Sequence, residues 1–184
     1  DERYRRDQQL QQLADLAAGA IDAELARHRT AAEILAQSEA LVAVMDLRRV
    51  RQEAERLSRA TGGWVVLTTA GPRVEQVVNT ALPSNAPLSA AVARAEGYPE
   101  IVGAELRSAG SGRAEMSDVF VERTSGRAVA AAVKPLTLAD GREAVLYASF
   151  AVDRLSALLA RADPPKEGFL SIVDGSGRVV ARSE

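Results

Sequence analysis

Apolar positions in the first quarter of the chain recur every three or four residues. Leu10, Leu13, Ala17, Ala20, Ile21, Leu25, His28, Ala32 and Leu35 make one stripe, and Gln8, Gln12, Asp15, Asp22, Arg29 and Glu33 fill the opposite face. That period belongs to an α-helix. With no proline and only Gly19 to interrupt it, the spacing predicts one long helix over 1–45. A second helix follows over 46–60, with Asp46 as N-cap and Leu47, Val50, Ala54 and Leu57 as its stripe; Thr61-Gly62-Gly63 ends it. The pattern then turns extended. Trp64 to Thr69 is an apolar, β-branched run, Ala70-Gly71-Pro72 reverses the chain, and 74–80 resumes as the second strand of a hairpin. Residues 81–112 open with the loop ALPSNAPL, allow short helices over 88–96 and 99–108, and close on SAGSG. Three strands are predicted over 115–122, 127–136 and 142–150, joined by turns at Thr124-Ser125-Gly126 and Asp140-Gly141. A helix over 153–162 ends before Pro164-Pro165.

The order of parts in GWVVLTTAGPRVEQVVNT, 63–80, returns in GFLSIVDGSGRVVARS, 168–183. Both read strand, turn, strand, which indicates a repeated supersecondary unit. The second copy is expected to end before anything packs on it. Five antiparallel strands with helices inserted after the second give an α+β fold. It is a long N-terminal helix packed on a PAS-like five-stranded antiparallel sheet, followed by the first hairpin of a second, incomplete PAS-like module. The expected divisions are the helix 1–45, a sensor-like module 46–162 and the start of a second module, 163–184. One sheet face packs on the helix. The other closes under 81–112 and leaves a pocket.

Composition removes several functions. A net charge of −2 and 4% aromatic residues speak against a general nucleic-acid binder. With no cysteine and His28 as the only histidine, thiol nucleophiles, histidine-based metal sites and Ser-His-Asp triads are excluded. No metal, cofactor or catalytic residue is expected, and no run approaches the length of a membrane span. His28 reads most simply as a core-edge histidine with a local hydrogen bond. The arginines of the second helix alternate with Glu53 and Glu55, as on a solvated face. The opening Asp1-Glu2-Arg3 suggests a piece of a longer protein.

GWVVLTTAG with VVNTALP, then MSDVFVERTSGRAVAAAVKPL, DGREAVLYASFAVDRLSALLA and FLSIVDGSGRVVARS together resemble a double Cache domain. This is the tandem PAS-like ectodomain of bacterial transmembrane receptors, here most like those of alphaproteobacterial sensor histidine kinases. The resemblance implies a periplasmic location, a membrane reached only through helices outside this chain, and 168 onward as the membrane-proximal module. Many members read Ser, two residues, Tyr, one residue, Asp, then a turn ending in Gly; Ser117, Phe120 and Glu122 hold those places before Gly126. Amine-binding members carry an Asp six residues ahead of a helix Leu, where counting back from Leu155 gives Ser149. An amino-acid ligand with full ammonium recognition is therefore not expected.

The candidate ligand-binding residues are Arg107, as a carboxylate clamp, with Ser117, Phe120, Glu122, Tyr147 and Ser149. Each has a plain alternative: a surface arginine, a core aromatic, an exposed carboxylate, a small packed residue. Trp64 reads as core, and Asp118 can face either side of the sheet. The expected function is extracytoplasmic sensing of a small polar or anionic molecule, relayed through the N-terminal helix. A ligand-free structural module that dimerises through that helix is the alternative, and an enzyme a distant third.

Overall fold

The computed structural model describes residues 2–89, 92–93, 97–123, 125–162 and 168–183. Helix α1 (Glu2–Ala36) ends at Ala36 instead of near Met45. Ser38 takes an extended conformation, α2 (Glu39–Val42) is a single turn, and Met45 adopts a φ of 59°. The chain folds back because Ala40 and Leu41 are apolar and belong in the core. Both are fully buried, and the Leu41 carbonyl accepts the Ala139 N–H at 3.0 Å. A straight helix would have carried the pair into solvent. Along α1, Ala20 is exposed although the stripe predicted it inside, and Glu24 is buried in its stead.

Helix α3 (Leu47–Thr61) starts where Asp46 accepts the Arg49 N–H at 3.1 Å and ends at Gly62, whose φ is 70°. Val50 and Ala54 are buried, whereas Leu47, expected on the same stripe, is exposed.

The sheet runs β3-β1-β8-β7-β5 and is antiparallel throughout. Its members are β1 (Trp64–Thr69), β3 (Gln76–Asn79), β5 (Glu115–Met116), β7 (Ala128–Thr137) and β8 (Glu143–Ala151), with β6 (Phe120–Val121) also on β7. Two predicted strands are broken. The one over 74–80 splits at Glu75: β2 (Arg73–Val74) peels away to pair with β4 (Val92–Ala93), and β3 stays on β1. The one over 115–122 splits into β5 and β6. Between them Ser117 keeps the ladder closed, its N–H donating to the Ala131 carbonyl at 2.8 Å and its Oγ accepting the Ala131 N–H at 3.0 Å. The two short pieces share the fifth place in the sheet, so the five-stranded expectation describes the architecture.

Of the helix predicted over 88–96, residues 90, 91 and 94–96 lie outside the described residues, Leu88 and Ser89 are irregular, and Val92–Ala93 is strand, not helix. Thr124 and Pro164-Pro165 also lie outside them. Helix α4 (Pro99–Ser111) is longer than predicted, and α5 (Asp153–Arg161) matches its prediction closely.

Strand alternation makes the sheet a two-faced divider. Val129, Ala131, Val133 and Val145 face α4. Ala132, Ala144, Leu146 and Ala148 face α1 and α3, and Ala130 and Phe150 face α1 and α5. Alanines on both partners, including Ala31, Ala32 and Ala36, let α1 lie close against the sheet.

The last hairpin, β9 (Ser171–Val173) and β10 (Val179–Arg182), packs on the body, contrary to the expectation that nothing would. Ala181 joins the cluster of Phe150 and Leu155. The Asp118 carboxylate accepts the Gly175 N–H at 2.9 Å, and Arg178 donates to the Val119 carbonyl at 2.6 Å while its guanidinium sits 3.5 Å from Glu100 on α4.

Where α1 crosses β8, charged groups are buried among apolar ones. His28 stacks on Phe150 with ring centroids 4.3 Å apart, and its Nε2 lies 3.2 Å from Glu24 Oε1. Arg154 Nε reaches the same oxygen at 2.9 Å, Arg27 pairs with Glu24 Oε2, and Arg154 Nη1 donates to the Gly62 carbonyl at 3.0 Å. The carboxylate is already matched by two guanidinium groups, so nothing is left to stabilise a charged imidazole. Burial first, then Arg154 and Arg27, holds His28 down at about 4 from an ordinary 6.5. Between those pH values the unfolded chain takes up a proton that the folded chain refuses. Stability is expected to fall as pH drops through this window, by about 3 kcal/mol when complete. Urea unfolding from pH 7 to 4 checks this. His28→Gln, which still donates to Glu24, should show a shallower pH dependence than the parent chain.

Candidate functional site

Helix α4 lies across the face of the sheet that α1 leaves free, and a cavity of about 340 Å³ opens beneath it. Its floor alternates along two neighbouring strands: Trp64, Val66 and Thr68 from β1, and Val145, Tyr147 and Ser149 from β8. Tyr98, Ile101, Val102 and Glu105 form the roof; Phe120, Glu122 and Arg123 close one end, and Val74 and Gln76 the other. Tyr98 fixes where the roof begins. Its hydroxyl accepts the Arg123 N–H at 2.9 Å, its ring lies 4.5 Å from Phe120, and the Arg123 guanidinium sits 5.1 Å from the ring centroid.

The predicted site residues divide between two places. Phe120, Glu122, Tyr147 and Ser149 line this cavity together. Arg107 and Ser117 do not. Arg107 Nη2 donates to the Met116 carbonyl at 2.8 Å, and Ser117 is taken up by the ladder bonds to Ala131. Both instead border a second, more open cavity of about 520 Å³, between α1, α5 and the last hairpin, walled by Ile21, Leu25, Val119, Leu155, Ile172 and Val180.

Trp64, Tyr98 and Glu105 are among the lining residues that sequence reasoning missed. Trp64 was read as core and is half-buried in the floor. Tyr98, directly before Pro99, sits at the N-cap position of α4, and the Tyr-Pro pair itself signalled a helix entry. Glu105 is buried against the roof, with no sequence signal to distinguish it from a solvated glutamate.

The polar complement is small. Thr68 is buried and its Oγ1 has no hydrogen-bond partner. Glu105 and Glu122 bring acid, and Arg123, on the rim, is the one cation among the described lining residues. Among the described residues no group of His, Asp and Glu is placed to hold a metal ion, and no helix is long and apolar enough to cross a membrane.

Neither protein-family models nor curated protein sequences give a match to this chain. Solved structures do. The ligand-binding domain of the Pseudomonas fluorescens chemoreceptor CtaA, in complex with L-serine, superposes with a TM-score of 0.66 at 14% identity, over 97% of this chain and 73% of that one. The Pseudomonas aeruginosa amino-acid chemoreceptor PctC with GABA gives 0.63 at 16% identity, over 94% and 74%. The sensory domain of Campylobacter jejuni Tlp3 with isoleucine gives 0.62 at 11%, over 95% and 68%. The chain thus has the fold of bacterial chemoreceptor ligand-binding domains.

Proposed function

We propose that this chain is the extracytoplasmic ligand-sensing part of a membrane-bound signalling receptor, and that the cavity under α4 takes the ligand. The cavity carries the reading: a concave, aromatic-lined hollow with a few convergent polar groups is what a small-molecule site requires. Its size, its half-enclosed form and its place opposite the long helix suit a receptor. The chemoreceptor domains that share the fold have L-serine, GABA and isoleucine in their complexes, which favours a small organic ligand here. The sequence resemblance adds the finer assignment, a double Cache ectodomain of a sensor histidine kinase. In this reading 46–162 with α1 is the membrane-distal module and 163–184 opens the next.

Signal transfer follows from the shared sheet. A ligand that binds one packing of α4 better than another shifts the balance between them. The strands beneath it, β7 and β8, are the ones on which α1 lies. A stabilising ligand at about a hundred times its Kd should add about 2.7 kcal/mol, raising Tm by several degrees. A thermal-shift screen of amino acids, amines, carboxylates and sugars checks this. If no compound moves Tm, the sensing proposal fails.

One observation favours a second role beside the first. Leu16 and Tyr4 project from the N-terminal part of α1 into solvent, next to the half-buried Leu10 and Leu13. Pairing with a second copy along this stretch would cover them, and sedimentation equilibrium would read the dimer.

A further inference from the structure

We infer that the second cavity, between α1, α5 and the last hairpin, is a binding site of its own for an aliphatic carboxylate, a carboxylate head on a short alkyl chain. It lies on the face of the sheet that carries α1, opposite the α4 cavity. The inference stands apart from the sensing proposal and does not need the α4 cavity to take a ligand.

The walls are mostly apolar. Ile21 and Leu25 come from α1, Phe150 from β8, Leu155 from α5, and Ile172 and Val180 from the last hairpin. The volume, about 520 Å³, falls among small-molecule sites, which run from roughly 300 to 1,000 Å³. An alkyl chain laid against these side chains leaves water, and each CH₂ so buried favours binding. The hairpin that closes this side is docked by Asp118 and Arg178. A bound molecule would touch α1, the sheet and the hairpin together and fasten β9 and β10 to the body.

Arginines from two elements reach the same space. Arg29 stands one helical turn beyond Leu25 on α1 and continues the stripe that walls the cavity. Arg107 comes from α4, on the other face. Its bond to the Met116 carbonyl holds it at the edge strand β5, where it joins the lining. Among the described residues neither guanidinium has an ion pair. The carboxylates in the lining are engaged with the chain itself. Glu115 accepts the Ser111 hydroxyl at 3.0 Å, and Asp118 accepts the Gly175 N–H at 2.9 Å. Asp174 accepts the Ser176 and Arg178 N–H groups, both at 3.0 Å, and its other oxygen lies 3.3 Å from Arg178 Nε. Ser117, more than nine-tenths buried, also lines the cavity. Its Oγ accepts the Ala131 N–H, and its O–H proton is given to none of the described residues. Guanidinium and hydroxyl donors suit a carboxylate, which accepts from both; an ammonium accepts from neither.

Isothermal titration and methyl NMR of the full chain with matched probes test the inference. Hexanoate is the carboxylate, n-hexanol the neutral isostere, n-hexylammonium the cation, and acetate the head without its chain. Hexanoate is expected to bind, with each of the others at least roughly tenfold weaker. Methyl signals of Ile21, Leu25, Ile172 and Val180 should shift on binding. Arg29→Gln and Arg107→Gln should each weaken hexanoate roughly tenfold. Arg56→Gln removes the same charge from an exposed site on α3 and should leave the affinity nearly unchanged. Circular dichroism and Tm confirm that each variant is folded. Binding of n-hexanol as tight as that of hexanoate, or a preference for n-hexylammonium, would overturn the inference. So would unchanged hexanoate affinity in both cavity-arginine variants. Shifts confined to the Val66 and Val145 methyls would place the acid in the α4 cavity, overturning the second site while supporting the sensing proposal. Silence of hexanoate would also overturn the second site, and the thermal-shift screen would still decide the sensing proposal by itself.

Discussion

Gly63→Ala is expected to destabilise the fold by about 3 kcal/mol or more. A Cβ at Gly63 would stand 2.1 Å from the Ser149 carbonyl oxygen and 2.9 Å from His28 Cε1. The first neighbour is backbone of a central strand and the second is a ring wedged between Glu24 and Phe150, so neither can yield without moving β8 or α1. The cause is space, since Gly63 is not among the glycines with positive φ. Gly19→Ala is the control. Nothing lies within 4 Å of a Cβ there, and an alanine in mid-helix should be neutral or stabilising by about 0.5–1 kcal/mol. Chemical unfolding of the two variants beside the parent chain separates a steric effect from a generic glycine effect.

Phe150→Ala should cost about 3–5 kcal/mol. The ring is fully buried, stacks on His28 and anchors the cluster that holds α1, α5 and the last hairpin together. It also borders the second cavity, so truncation enlarges an existing hollow that the neighbours cannot collapse to fill. For a chain of this size the loss corresponds to a Tm lower by about 10 °C. Phe150→Leu should recover most of it. Scanning calorimetry gives both values, and a Phe150→Ala Tm within a degree or two of the parent would show that the cluster is looser than its packing implies.

Much of the architecture was legible because pattern and environment agree. The runs 64–69, 128–137 and 143–151 are apolar and β-branched or small, they are bounded by Gly and Asp-Gly signals, and they became β1, β7 and β8. The breaks were hidden. Gln37-Ser38 contains no strong breaker; the turn there follows from the burial of Ala40 and Leu41, a tertiary demand that no local window contains. The split of 115–122 depends on Ser117 substituting for ladder bonds, and a serine in a strand gives no such notice. Glu24 was passed over because a carboxylate on an apolar stripe reads as an interruption until Arg154, far along the chain, is seen to meet it. In the site, Phe120 and Ser149 were named through the family resemblance and Tyr147 as a strand aromatic, and all three line the cavity. Arg107 does not, because Glu105 and Arg107 stand two apart on α4 and such positions face different ways. When one turns toward the cavity the other turns away from it.

Along β8, residue parity divides two kinds of selection. Odd positions 145, 147 and 149 meet whatever enters the cavity, and even positions 144, 146, 148 and 150 meet the helices. On the sensing proposal, exchanges at Tyr147 and Ser149 should alter ligand preference with little disturbance of the helical layer, and a library confined to odd sites should yield folded proteins. The same number of changes at even sites should mostly yield chains that no longer assemble.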